Sequence, residues 1–199
     1  MFLLASASPR RKDLLQAAGF SPVICPSSIE EKPWPGEKPE SYALRMSYEK
    51  AYDVATSESR SLPVLAADTI VVLGDQILEK PRDEADAVRM LNLLSGQTHQ
   101  VMTGICWITH TQDLLTTWGE VVSTSVTFHS LSDDAIARYV ATGEPMDKAG
   151  AYAIQGGAAA MVKSTRGSYS NVVGLPMERV TALLKQEGIL QAQGPGSQK

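Results

Sequence analysis

The sequence predicts a mixed α/β fold, and three observations carry that prediction. Two stretches, Leu62 to Leu73 and Gln100 to Phe128, are dense in Val, Ile, Thr and Trp, the residues that favour pleated and largely buried strands. Around them lie segments with apolar residues three and four apart, opened by Ser, Asp or Pro and closed by Gly, which is the pattern of helices. Finally, 199 residues with 43% hydrophobic and 20% charged suffice for one domain, or two small lobes sharing a core, and exclude wholesale disorder.

In chain order, Leu3-Leu4-Ala5 reads as a short buried strand. A helix from Pro9 to Ala18 follows, with Ser8 as N-cap, Pro9 at the first helical position and Gly19 as the stop. Val23 to Cys25 is a second strand, and Ser27 to Pro39, rich in Glu, Lys and Pro, an exposed loop. A helix runs from Pro39 to Thr56 on an apolar stripe of Tyr42, Leu44, Met46 and Ala51. Leu62 to Leu73 is a strand, and Gly74-Asp75 turns it into a hairpin reaching Leu78. Asp83 caps a helix through Leu94, whose inner face is Ala87, Met90, Leu91 and Leu94. Gln100 to Phe128 forms two long antiparallel strands turning at Thr111 to Asp113, and Ser132 opens a helix ending at Gly143. Short strands are expected at Tyr152 to Ile154 and Ala160 to Lys163, then a last helix from Leu175 to Glu187 opened by Pro176. Residues 1–188 are read as a single domain and 189–199 as a disordered polar tail.

Composition narrows the function classes. No run is apolar enough to cross a bilayer, and the basic cluster follows the first apolar residues, the reverse of a secretory signal, so the expected address is the cytosol, away from membranes. Cys25 and Cys106 make no disulfide framework and sit in no metal-binding spacing. A net charge of -4 argues against a nucleic-acid partner, which needs a basic face.

Cations are nonetheless gathered at particular places. In Ser6-Ala7-Ser8-Pro9-Arg10-Arg11-Lys12, three cations occupy the first helical turn and oppose the helix dipole. That arrangement suits either an anion held by free amides and arginine forks or a solvated turn offset by Asp13. Asp68 stands in the run Ala66 to Val72, where an acid is costly to bury unless paired or bound to a cation. It can ligate Mg²⁺ or take a proton from an attacking water; otherwise it is a strand-end cap or salt-bridge member. Lys80, just past the hairpin, can return toward Asp68 as a point charge for phosphate, or belong to a plain loop cluster. The small residues from Asp147 to Gly157 let backbone amides approach a ligand, with Gln155 offering a donor and an acceptor to a base edge. Gly167 to Pro176 reads as a tightly packed connection into the last helix. His99, His110 and His129 share no ligand spacing and read as strand or turn residues, so any metal is held by carboxylates.

Taken together, LASASPRRKDLL, the EKA at Glu49 to Ala51, AADTIVVLGDQILEKPRDEADAVRMLNLLSGQTHQVMTG, DKAGAYAIQG and GSYSNVVGLP resemble the Maf family of nucleoside triphosphate pyrophosphatases, over residues 2 to 188. The resemblance implies an elongated, two-lobed inosine-triphosphatase-like fold with a long mixed sheet and a central cleft. It implies a divalent metal, Mg²⁺ or Mn²⁺, a homodimer and a nucleoside triphosphate substrate. Arg10, Thr69 and Gln155 match the subgroup acting on dTTP and UTP and are the implied specificity residues. Asp68 matches the general base, and Ser8, Arg11, Glu31, Lys50, Lys80 and Asp147 match cleft residues: Ser8, Arg11 and Lys50 for phosphate, Lys80 for catalysis, Asp68 and Glu31 for the metal. The chain departs from the family pattern at Gly157-Ala158-Ala159 and at Thr165, both on the base side. The competing expectations are a pyrophosphatase for 7-methyl-GTP and a non-catalytic regulator of septum formation.

Overall fold

The structure, a computed structural model, describes residues 1–57, 62–111 and 114–189. Its centre is a seven-stranded mixed sheet built from β1 (Leu3–Leu4), β2 (Val23–Ile24), β3 (Val64–Leu73), β4 (Gln76–Leu78), β5 (Thr98–Thr111), β6 (Leu114–Phe128) and β7 (Val162–Arg166). The strand order is β2-β1-β3-β5-β6-β7, with β4 also paired to β3. β1 is parallel to β2 and β3, and the other pairings are antiparallel. The helices are α1 (Pro9–Ala17), α2 (Pro39–Ser57), α3 (Glu84–Leu94), α4 (Asp133–Val140), α5 (Tyr169–Val173) and α6 (Met177–Gln186).

The mixed α/β class and most elements agree with the sequence reading. Ser132 and Asp83 cap their helices through side chains that accept from the amides of Ala135 and Asp86. Ser8 occupies the N-cap of α1, but its side chain makes no capping bond. Residues 112 and 113, within the turn expected at Thr111 to Asp113, and 190–199, most of the expected tail, lie outside the described residues. Ile189 packs on the core and its amide donates to the Leu184 carbonyl.

One expectation is overturned. No strand forms at Tyr152 to Ile154, and Ala160 lies in a 3-10 turn, Gly157–Met161, so that β7 starts only at Val162. Gly150 (φ +67) and Ala151 (φ +59) adopt left-handed backbone that takes the chain out of extension. The freed amides find other partners: Gly150 donates to the Glu79 carbonyl and Ala153 to the Tyr139 hydroxyl.

β3 sorts its side chains by parity onto the two faces of the sheet. Val64 and Ala66 pack with Ala51 and Val54 of α2, and Ile70 and Val72 with its Tyr42 and Met46. Leu65 and Ala67 face the other way, onto Leu15 of α1 and the Val180, Leu183 and Leu184 of α6. Asp68 therefore points to the α2 face and Thr69 to the opposite one.

The edge of β3 is open exactly once among its pairings. β1 covers it at Val64 and Leu65, β4 at Val71 to Leu73, and among the described residues no strand pairs with positions 66–70 between them on that side. Side chains from both faces of β3 can reach one space at this notch.

Gly104 sets how closely α2 lies against the sheet. It is the register partner of Asp68, and a Cβ there would overlap the Ala43 carbonyl and stand 2.9 Å from the Leu44 nitrogen. Gly104→Ala is expected to cost about 1–3 kcal/mol by overpacking, read as a lower urea midpoint at unchanged m-value.

Candidate active site

A cavity of about 480 Å³ opens at the notch, in the size range of small-ligand sites. All ten residues singled out in the sequence line it. Ser8, Arg10 and Arg11 come from the start of α1, Glu31 from the loop before α2, and Lys50 from α2. Asp68 and Thr69 come from β3, Lys80 from the turn after β4, and Asp147 and Gln155 from the segment between α4 and β7.

Asp68 lies in the middle of β3, not at its end, and is buried together with Lys50. The Lys50 ammonium donates to Asp68 Oδ1 at 2.6 Å and contacts Glu31 Oε1 at 2.9 Å. It is the counter-ion that makes a carboxylate tolerable in this strand. Burial alone would raise the Glu31 pKa, but Lys50, with Lys80 and Arg11 further off, holds that carboxyl below its ordinary range.

The two arginines of α1 have different tasks. Arg11 is buried, and its guanidinium joins three separate segments of the chain. Nε donates to the Gly174 carbonyl at 2.8 Å, Nη1 to Ser6 Oγ at 3.0 Å and Nη2 to Thr69 Oγ1 at 3.1 Å. Thr69 in turn meets Thr103 Oγ1 at 2.9 Å. The segment before α6 is thus more than a packed connection, because its Gly174 carbonyl anchors Arg11. Arg10 is only half-buried, and its Nε is enclosed without a hydrogen-bond partner among the described residues. Burial alone would raise the Asp147 pKa, but its ion pair with the neighbouring Lys148, helped by the Arg10 charge, holds that carboxyl below its ordinary range.

Gln155 is exposed at the rim on a backbone segment tethered from behind. Glu144 Oε2 accepts from the Gly157 amide at 3.0 Å, and Glu144 Oε1 accepts from the Tyr139 hydroxyl, which itself accepts from the Ala153 amide at 3.1 Å. Tyr152 lines the cavity with its hydroxyl 2.8 Å from His99 Nε2 and its ring edge-on to His99 and Phe128. Burial lowers the His99 pKa to about 4, so the ring is neutral near neutral pH. Sequence reasoning missed Tyr139, Glu144, His99 and Tyr152 as supports of this wall. Their contacts span up to 53 residues and no local pattern announces them.

Asp68 and Glu31 are the two carboxylates that converge on one point, and that point holds Lys50 Nζ. Among the described residues no group of three His, Cys, Asp or Glu side chains is placed to hold a metal. Two carboxylates do suit Mg²⁺, which keeps several waters and shares its remaining positions with substrate phosphates. Among the described residues no helix is long and apolar enough to cross a membrane.

A curled mixed sheet whose open edge gathers Arg10, Arg11, Lys50 and Lys80 with Glu31, Asp68 and Asp147 around a small cleft defines an α/β protein built to receive a compact anionic ligand. Residues 1–187 match the family model described as Maf-like protein, and the chain belongs to that family. It is 49% identical over 189 residues to a protein of Anaeromyxobacter dehalogenans, covering 94% of this chain and 93% of the relative. It is 51% identical to a protein of Geobacter sulfurreducens, covering 94% and 97%, and 46% identical over 188 residues to one of Shigella dysenteriae, covering 94% and 93%. All three relatives are named dTTP/UTP pyrophosphatase.

Proposed function

We infer that the chain is a dTTP/UTP pyrophosphatase, hydrolysing the bond between the α and β phosphates to give the nucleoside monophosphate and pyrophosphate. The observation that carries this reading is the meeting of Asp68, Lys50 and the α1 arginines in one cavity, in a chain about half identical to relatives of that name. The whole of residues 1–188 acts as one domain of the elongated, two-lobed type, with the cavity as its central cleft.

In this reading Asp68 accepts a proton from the water that attacks the α-phosphorus. Lys50, Lys80 and Arg10 neutralise the triphosphate, and Ser8 with the first amides of α1 holds a phosphate oxygen. Arg11 contributes its charge while fixing Ser6, Thr69 and Gly174 in place. Gln155 pairs with the uracil or thymine edge, whose N3–H and carbonyls complement an amide, and Arg10 and Thr69 bound the pocket. Asp68 and Glu31 would hold a divalent cation, Mg²⁺ or Mn²⁺, which supplies charge for the departing pyrophosphate. The protein works as a homodimer on a free nucleotide, without nucleic acid or membrane.

Phosphate release coupled to an inorganic pyrophosphatase, across normal and modified triphosphates with Mg²⁺, tests this. Turnover is expected with dTTP and UTP and is expected to vanish with EDTA. Preference for 7-methyl-GTP would overturn the subgroup, and no turnover of any triphosphate would favour a regulator of septum formation.

A further inference from the structure

The segment 25–38 delivers Glu31 to the cavity without forming a helix or strand. It lies along α2 in the opposite direction to the helix. The Ser28 amide donates to Asp53 Oδ2 at 2.9 Å, Glu31 meets Lys50, and the Lys32 carbonyl and Glu37 carboxylate meet Arg45. As the segment advances from 28 to 37, its partners step back from 53 to 45.

Chain length leaves Glu31 undetermined. Arg45 and Asp53 are about 12 Å apart along a helix axis, whereas the residues from 28 to 37 can extend to roughly 30 Å. So much slack means that side-chain pins, not backbone tension, settle where Glu31 sits.

Arg45 is the strongest of those pins. Its Nε and Nη2 grip both oxygens of Glu37 at 2.7 and 2.6 Å, Nη2 also donates to the Lys32 carbonyl at 2.9 Å, and Nη1 donates to Glu49 at 3.0 Å. The Trp34 ring covers the guanidinium at 4.0 Å, and the Trp34 and Glu37 backbones close a turn with two reciprocal bonds to each other's carboxylate and carbonyl. The Arg45 and Glu37 side chains are 14% and 7% exposed, so this planar, bidentate and stacked ion pair is largely shielded from water.

We propose that Arg45, clasped by Trp34 and Glu37, is a positioning residue that holds Glu31 on Lys50 at the mouth of the cavity. This rests on the pyrophosphatase reading. Arg45 is not a catalytic residue; it acts through Glu31. Lysine cannot replace it, because a point charge neither forks onto Glu37 nor stacks on Trp34.

The test combines kinetics with amide hydrogen exchange on Arg45→Ala, Arg45→Lys, Glu31→Gln and the Arg45→Ala/Glu31→Gln double variant. Arg45→Ala is expected to lower kcat/KM for dTTP by about tenfold or more, with Arg45→Lys little better. In the Glu31→Gln background, Arg45→Ala is expected to have almost no further effect, which a merely destabilising substitution would not show. Exchange over residues 28–34 is expected to quicken several-fold while the centre of α2 stays protected. Trp34→Leu, a change at an exposed ring, is expected to quicken the same segment more mildly and serves where Arg45→Ala does not fold. Additive kinetic effects, or unchanged exchange at 28–34 in both Arg45→Ala and Trp34→Leu, would overturn the proposal. Should the wild type turn over no triphosphate, the pyrophosphatase reading falls, and the exchange arm still decides whether the clasp holds the segment.

Discussion

Asp68→Asn is expected to lower dTTP turnover by about 10²–10⁴-fold, the span associated with a positioned general base. The substitution keeps the shape of the side chain and one oxygen to accept from Lys50, so the 2.6 Å contact has a surviving acceptor. Asparagine cannot take the proton of the attacking water. Because Lys50 loses a neutralising partner, the cavity becomes more positive, and dTTP binding by calorimetry is expected to be retained or tightened. A variant that binds and does not turn over separates the base from the phosphate-holding groups. Wild-type turnover in Asp68→Asn would mean that the proton goes elsewhere and would remove Asp68 from its assigned role. The residue's depth makes the result informative: it lies in the middle of a ten-residue strand, where solvent has little chance to substitute for it.

Local chemistry made much of this molecule legible before its structure. The caps at Asp83 and Ser132, the Gly74-Asp75 turn and the β-rich apolar run along Val64–Leu73 are set by residues within a few positions of each other. Where short range failed, the backbone was turning on left-handed residues. Ala151 at φ +59 belongs to no pattern that would predict it, so the segment after it reads as a strand when it is a turn. The site was legible as a set of residues but not as an arrangement. An acid in an apolar run announces that it needs a partner, yet nothing local says that the partner is Lys50, eighteen positions earlier on a helix that Gly104 lets down onto the sheet. The 163-residue separation of Arg11 from Gly174 is the same problem at greater length. Its consequence is a division of labour between adjacent arginines, one built into the frame and the other facing the cleft.

Lys50→Met is expected to cost both activity and stability, and the two losses have separable causes. Removing one partner of a buried ion pair leaves an uncompensated carboxylate at Asp68, a change worth about 3–5 kcal/mol against the fold. Glu31, 42% exposed at its side chain, can turn to water, and it adds little to that cost. It does add a pH signature. In the wild type Lys50 holds the Glu31 pKa below its unfolded value, so this contribution favours the fold above the ordinary carboxylate range and fades as pH falls through the folded pKa. Lys50→Met is therefore expected to flatten that part of the acid slope of stability, measured by urea denaturation at a series of pH values. The companion variant Lys50→Met/Asp68→Leu puts apolar side chains at both positions, between Ala66 and Ile70, which already pack against α2. It is expected to regain most of the lost stability while remaining inactive, because burying two apolar groups avoids the desolvation that an ion pair only partly repays. A double variant no more stable than Lys50→Met would show that the single loss comes from packing of the lysine stem and not from the stranded charge. Recovery of the fold without recovery of turnover would place Lys50 and Asp68 where their geometry puts them: a pair kept in the sheet at a cost to stability, for what it does to a phosphate.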